Sequence, residues 1–141
     1  MNITLRSKVT GEMASIFERF DDRLFKYLLP PGAQLIDFGG SKKGDMVHLR
    51  LPLAGEWISE ITEDKITKDT CYFIDEGRKL PFPIKEWRHQ HILRQAGNST
   101  IIEDNMNFST GNIIADLLFY PVLYFSFLPR IWQYKRYFKT T

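Results

Sequence analysis

The chain has 141 residues, 43% of them hydrophobic, with 19 Lys and Arg against 17 Asp and Glu. That length suits one domain spanning 1–141 with a core of its own, and the composition excludes a disordered chain. A net charge of +2 with bases spread among acids offers no footprint for nucleic acid, and a single cysteine, Cys71, excludes an internal disulfide.

"NITLRSKVT" alternates, with Ile3, Leu5, Ser7 and Val9 on one side and Thr4, Arg6 and Lys8 on the other, and reads as a strand. It carries no apolar run of the kind that makes a signal peptide, so a cytoplasmic location is expected. In "EMASIFERFDDRLFKYLL", Met13, Ile16, Phe17, Phe20, Leu24, Tyr27 and Leu28 recur at helical spacing. Asp21 and Asp22 divide that stretch into two short helices, and "PPG" stops it.

Short apolar runs separated by turns follow: "AQLIDF", "MVHLRLP", "WISEITE", then "DKIT" leading to "KDTCYFIDEG", then "KEWRHQHILR" and "STIIEDNMNFS". This is the rhythm of consecutive antiparallel hairpins, about seven strands in all with the first set apart by the helices. "GGSKKGD" joins two strands rather than opening a helix, so it is a hairpin loop and not a phosphate cradle.

The tail from Gly111 is helical in character, kinked or restarted near Pro121 and Pro129, which each remove a backbone donor. Ile114, Leu117, Leu118, Pro121, Tyr124, Phe125 and Leu128 fall on one side of it. "LLFYPVLYFSFLP" is short of the about 20 apolar residues of a membrane span, and a buried helix is the expectation. Strand, two helices, six strands and one long helix make an α+β arrangement in which the sheet curls over the apolar helix.

The chemistry concentrates in "EWRHQHI". Alternation puts Trp87, His89, His91 and Leu93 on one strand face, with Glu86, Arg88, Gln90 and Arg94 on the solvent face. The same logic groups Ile102, Asp104, Met106 and Phe108 against Glu103, Asn105 and Asn107; Cys71, Phe73 and Asp75; and Trp57, Ser59 and Ile61. An ionised carboxylate on an inner face needs a partner, and the histidines supply one.

Three readings compete. A hydrogen-bonded network shaping a pocket ranks first, and general acid–base chemistry by His89 or His91 with Asp104 or Asp75 second. A metal held by His-x-His and Asp104 ranks third, since no further histidine or cysteine makes that set distinctive. His48 reads as a partly exposed strand residue and Cys71 as a small core residue. Tyr120 and Tyr124 stand out among the tail aromatics because a buried hydroxyl needs a partner.

Taken together, "ITLRSKV", "RLFKYLLPPG", "WISEIT", "CYFIDEGRKLPFPIKEWRHQHI", "IIEDNMNF" and the ending "WQYKRYF" resemble the SRPBCC ligand-binding superfamily, also called START-like or polyketide cyclase/dehydrase-like, in a bacterial branch. The most specific part is Phe73 and Asp75, the Pro81-Phe82 connection, Trp87-x-His89-x-His91, then Asp104. The resemblance implies a helix-grip fold: a curved antiparallel sheet wrapped around a long C-terminal helix, with a hydrophobic cavity between them.

It further implies a small hydrophobic ligand such as a lipid, isoprenoid or polyketide-like aromatic; no cofactor and no metal are expected. Trp57, Phe73, Asp75, Trp87, His89, His91, Asp104, Met106, Tyr120 and Tyr124 are the candidate ligand-binding residues. The alternative is a cyclase/aromatase or dehydratase using His89, His91 or Asp104 for proton transfer. A third and not favoured reading puts "RIWQYKRYFK" on a membrane surface.

Overall fold

The computed structural model describes residues 1–139. Among these, seven strands and four helices follow in the order β1 (Asn2–Thr10), α1 (Met13–Glu18), α2 (Asp22–Leu28), β2 (Gln34–Phe38), β3 (Met46–Leu51), β4 (Gly55–Ile66), β5 (Thr70–Lys79), β6 (Glu86–Ala96), β7 (Ser99–Ser109), α3 (Ile113–Phe127) and α4 (Arg130–Lys139). The strands form one curled antiparallel sheet in the order β1-β7-β6-β5-β4-β3-β2. Every neighbouring pair is a sequential hairpin except β1 and β7, the first and last strands, which pair from Asn2↔Asn107 to Thr10↔Ser99.

Alternation in β1 is realised as expected: Ile3, Leu5, Ser7 and Val9 are buried and Arg6 and Lys8 exposed. Asp21 caps α2 by accepting a hydrogen bond from the Leu24 amide at 3.1 Å, satisfying a helix-end donor and making the break between the two short helices. Two details depart from expectation. "DKIT" is no separate connection, because β4 runs unbroken to Ile66. Glu103, assigned to the solvent face, is nevertheless covered, held between Arg6 at 2.8 Å and Arg94 at 3.1 Å.

Two apolar clusters fill the concave face. One joins Met13, Ile16, Phe20 and Leu24 of the short helices to Phe73, Leu93 and Ile102 of the sheet and to Tyr134 and Phe138 of α4. The other joins Ile3, Trp87, Met106 and Phe108 to Leu123 and, less buried, Tyr120, Tyr124 and Phe127 of α3.

The terminal helix restarts where Pro129 interrupts it, with Ile131 and Trp132 amides bonding back to Leu128 and Pro129 carbonyls. Its first half is not the buried helix the composition suggests. Only Asp116 and Leu123 of α3 are buried, while Ile114, Leu117, Leu118 and Phe125, assigned to a common face, lie exposed. The physical reason is that α3 is apolar nearly all round, so periodicity does not select which side meets the sheet.

Candidate functional site

Where the two clusters meet, strand register assembles a buried polar group. Asp75 of β5 stands opposite His89 of β6, and His91 stands opposite Asp104 of β7. The hydrogen bonds run diagonally instead: His89 Nε2 lies 2.8 Å from Asp104 Oδ1, and His91 Nε2 lies 2.9 Å from Asp75 Oδ2. Diagonal neighbours on a sheet face are within reach of side chains of this length. The two imidazoles stack with centroids 3.7 Å apart, and Phe73 stacks on the far side of His91 at 4.2 Å.

The helix completes the group. Arg130 Nη1 and Tyr134 Oη, one turn apart on α4, each lie 3.4 Å from Asp104 Oδ1. Trp87 Nε1 donates to Asp75 Oδ1 at 3.3 Å. His91 Nδ1 is 3.4 Å from Asp104 Oδ1 but off line. Among the described residues it is the buried side-chain polar atom left without a hydrogen bond.

The protonation states follow from this geometry. Burial alone would raise the Asp104 carboxyl, but the bond from His89, the close His91 ring and the Arg130 charge outweigh it and hold the group well below the usual carboxylate range. Asp75 is lowered in the same way, burial being overcome first by His91 and then by the His89 charge. For His91 burial opposes the charge, yet the flanking Asp104 and Asp75 carboxylates raise its pKa.

His89 goes the other way: burial and the neighbouring His91 charge push it down to about 4, against the pull of Asp104. Burial and Asp104 raise the Tyr134 hydroxyl, which stays protonated. Burial works against Arg130, but Tyr134 and Asp104 overcome it. With His91 holding its proton, which both carboxylates favour, two carboxylates face two cations, His91 and Arg130, and the cluster is balanced. Since ionised Asp104 can only accept, neutral His89 must donate through Nε2, which leaves its Nδ1 as a bare acceptor 3.8 Å from Asp75 Oδ2.

Above this floor lies a cavity of about 80 Å³. Trp57, Phe73, Asp75, Trp87, His89 and His91 line it, together with Phe25, Leu29, Phe38, Val47, Leu49, Ser59, Ile61, Phe127 and Arg130. Six of the ten expected ligand-binding residues thus border it. Asp104 sits behind the histidines, and Met106, Tyr120 and Tyr124 pack in the neighbouring cluster instead. The Pro81-Phe82 connection points outward, with Phe82 95% exposed.

Arg130 and Tyr134 were not singled out from sequence as members of the site. The only signal was a base and a phenol one turn apart on a helix that also carries Lys135, Arg136 and Lys139, and nothing local ties that helix to a strand. The same holds for Phe25 and Phe38, which close the cavity from α2 and β2.

Asp75, His89 and His91 bring one donor atom each within 4.8 Å of one another, the spacing of a metal group. Their rings, however, stack at only 27° to each other. The lone pairs of rings stacked in this way lie in two planes whose ring centres are 3.7 Å apart, so one ion near both nitrogens would sit out of line with at least one of them.

No family model matches the sequence, and no curated protein is detectably related to it. Solved structures are similar in shape. An aromatase/cyclase from a Streptomyces species matches with a TM-score of 0.70 at 12% identity, over 94% of this chain and 90% of that one. The chain has the helix-grip fold of that structure.

Truncated norcoclaurine synthase from Thalictrum flavum shares that helix-grip fold at a TM-score of 0.63 and 10% identity, over 93% of this chain and 90% of the other. A major latex-like protein of Panax ginseng does so at 0.61 and 14%, over 94% and 95%. At these identities the likeness is one of fold. In this helix-grip chain the cavity occupies the space between curled sheet and terminal helix, the location the resemblance implies.

Proposed function

We propose that the chain binds a compact, uncharged ligand with an apolar body and one hydroxyl or amine donor, holding the donor at Asp75 and His89 Nδ1. The observation that carries this reading is the character of the cavity. Its walls are aromatic and aliphatic, and its floor offers acceptors, the Asp75 carboxylate and the unprotonated His89 nitrogen, within a cluster of balanced charge. An ion entering such a site would lose its hydration without a free counter-charge, so neutral ligands are preferred.

Size sharpens the ligand class. Ligand pockets usually hold about 300–1,000 Å³, while this cavity has about 80 Å³. That is room for a single small ring or the leading end of a longer molecule. A whole lipid or polyketide chain needs the walls to part.

The test is a thermal-shift and calorimetric series of phenol, anisole and benzoate. Phenol should stabilise the protein, by about 2.7 kcal/mol at a hundredfold excess over its dissociation constant. Anisole, which lacks the donor, should bind more weakly, and benzoate, which is charged, least. In Asp75→Asn the advantage of phenol over anisole should shrink. Absence of stabilisation by any uncharged single-ring compound would defeat the reading.

A second reading is proton transfer, favoured by the stacked neutral and charged imidazoles and by the enzymes among the similar folds, an aromatase/cyclase and a synthase. It ranks second because a histidine pushed down to about 4 is a weak base at neutral pH. Turnover of a poly-carbonyl substrate that is lost in His89→Ala and His91→Ala, with ring binding kept, would reverse the order.

A further inference from the structure

We infer that the outer face of α3 and α4 docks, lying flat, on an anionic lipid bilayer. Ile114, Leu117, Leu118, Val122, Phe125 and Trp132 are each between 53% and 73% exposed. Apart from the adjacent pair Leu117 and Leu118, successive members are three, four or seven residues apart, so they form one stripe that continues across the restart at Pro129. Past Trp132 the stripe changes character: its next exposed members are Lys135, Arg136 and Lys139.

Charge decides what covers this face. From Ile113 to Lys139 the chain holds a single carboxylate, Asp116, and that one is buried against Thr110, whose amide and hydroxyl donate to it at 2.7 and 2.6 Å. No acid on the two helices therefore offsets the three exposed bases. A second copy of the chain would cover the apolar part and leave the basic end without counter-charge. An anionic bilayer takes both, the apolar residues below the headgroups, Trp132 at their level and the bases against lipid phosphates.

The same helices do not cross. By length and composition Ile113–Lys139 would serve, with 27 residues that include an 18-residue stretch of mean hydropathy 1.3. But its inner side is committed to the protein: Leu123, Tyr134 and Phe138 are buried in the two cores, and Arg130 pairs with Asp104. Crossing would strip all of these, whereas lying flat disturbs none.

Co-sedimentation with equimolar phosphatidylglycerol/phosphatidylcholine vesicles at low salt tests the inference. The full chain should pellet with these vesicles, bind roughly tenfold less to phosphatidylcholine alone and be released by high salt. Trp132 emission should shift to the blue on binding. Leu118→Asp with Phe125→Asp, and separately Lys135→Glu with Arg136→Glu and Lys139→Glu, should abolish pelleting while the circular-dichroism melting curve is unchanged.

Failure of the full chain to pellet with the anionic vesicles would overturn the inference, as would equal binding to neutral ones. A dimer in solution that Phe125→Asp dissolves would also overturn it, by giving the face to a second copy.

Discussion

His89 and His91 are two residues apart on one strand and stack at 3.7 Å, yet they are driven in opposite directions. His91 gains two carboxylates and is raised above 6.5, while His89 lies beside that new charge and falls to about 4. The signs give a stability profile. Between about 4 and 6.5 the unfolded chain binds the His89 proton and the folded chain does not, so stability increases with pH across that window.

His91 acts conversely: its contribution is complete below 6.5 and is lost as pH rises through its elevated folded value. Asp75 and Asp104 lose theirs only below the ordinary carboxylate value of 3.8. Urea denaturation across pH should therefore show a maximum near 6.5. The acid limb should fall by about 3 kcal/mol and flatten in His89→Asn. A profile unchanged by that substitution would contradict the assignment.

At this scale the sequence was informative, since alternation alone puts Trp87, His89, His91, Asp75 and Asp104 on inner faces. The pairing was hidden, because which carboxylate each imidazole meets depends on strand register and on diagonal reach. Arg130 was hidden more deeply. One base among four on a helix gives no local sign that it pairs with a residue 26 positions earlier.

Among the elements, α3 is where sequence and structure part most. Its start is legible: Asn112 accepts from the Ile114 and Ala115 amides at 2.9 and 3.1 Å, as a capping residue should. Its orientation is not. With Ile, Leu, Phe, Tyr and Val on every side, several faces are equally apolar, and tertiary packing chose the one bearing Leu123. Two substitutions separate the alternatives.

Leu123→Ala removes a buried side chain and should cost about 2–4 kcal/mol. Leu118→Ala, at 73% exposure, should change stability by less than about 0.5 kcal/mol. Equal costs in urea denaturation would mean that α3 is rotated from the position described. The strands were easier, since polar residues mark their solvent faces. The exception, Glu103, is covered by two arginines that alternation had also put outside.

Taken whole, the molecule is a run of hairpins closed by one long-range pairing. β1 is an edge strand in the sheet, but its inner residues Ile3 and Leu5 are 0% and 5% exposed because they pack against Trp87, Met106 and α3. Edge position therefore does not make β1 dispensable. Ile3→Ala should cost about 2–5 kcal/mol, the figure for a central core residue. A thermal melt within a degree or so of the parent's, against an expected drop of several degrees, would show that the chain ends are only loosely joined.

The strand–helix–helix–strand order was readable from punctuation, the need for a curl from the apolar tail, and the grip of sheet on helix from the resemblance. Cavity volume was not readable, because it depends on how far Phe25, Phe38 and Phe127 lean in from three separate elements.

The three tryptophans fall into two optical classes. Trp57 and Trp87 meet edge to face at 4.8 Å over the polar floor, and Trp87 also touches the Asp75 carboxylate and the His89 ring. Trp132 stands in solvent on the far side of the terminal helix. Acrylamide should thus quench Trp132 more freely than Trp57 and Trp87. The shielded emission would respond to titration of the imidazoles and to a guest above them, and the quenchable emission to whatever covers the helix. The unlabelled protein carries a separate fluorescent gauge for each of its two surfaces.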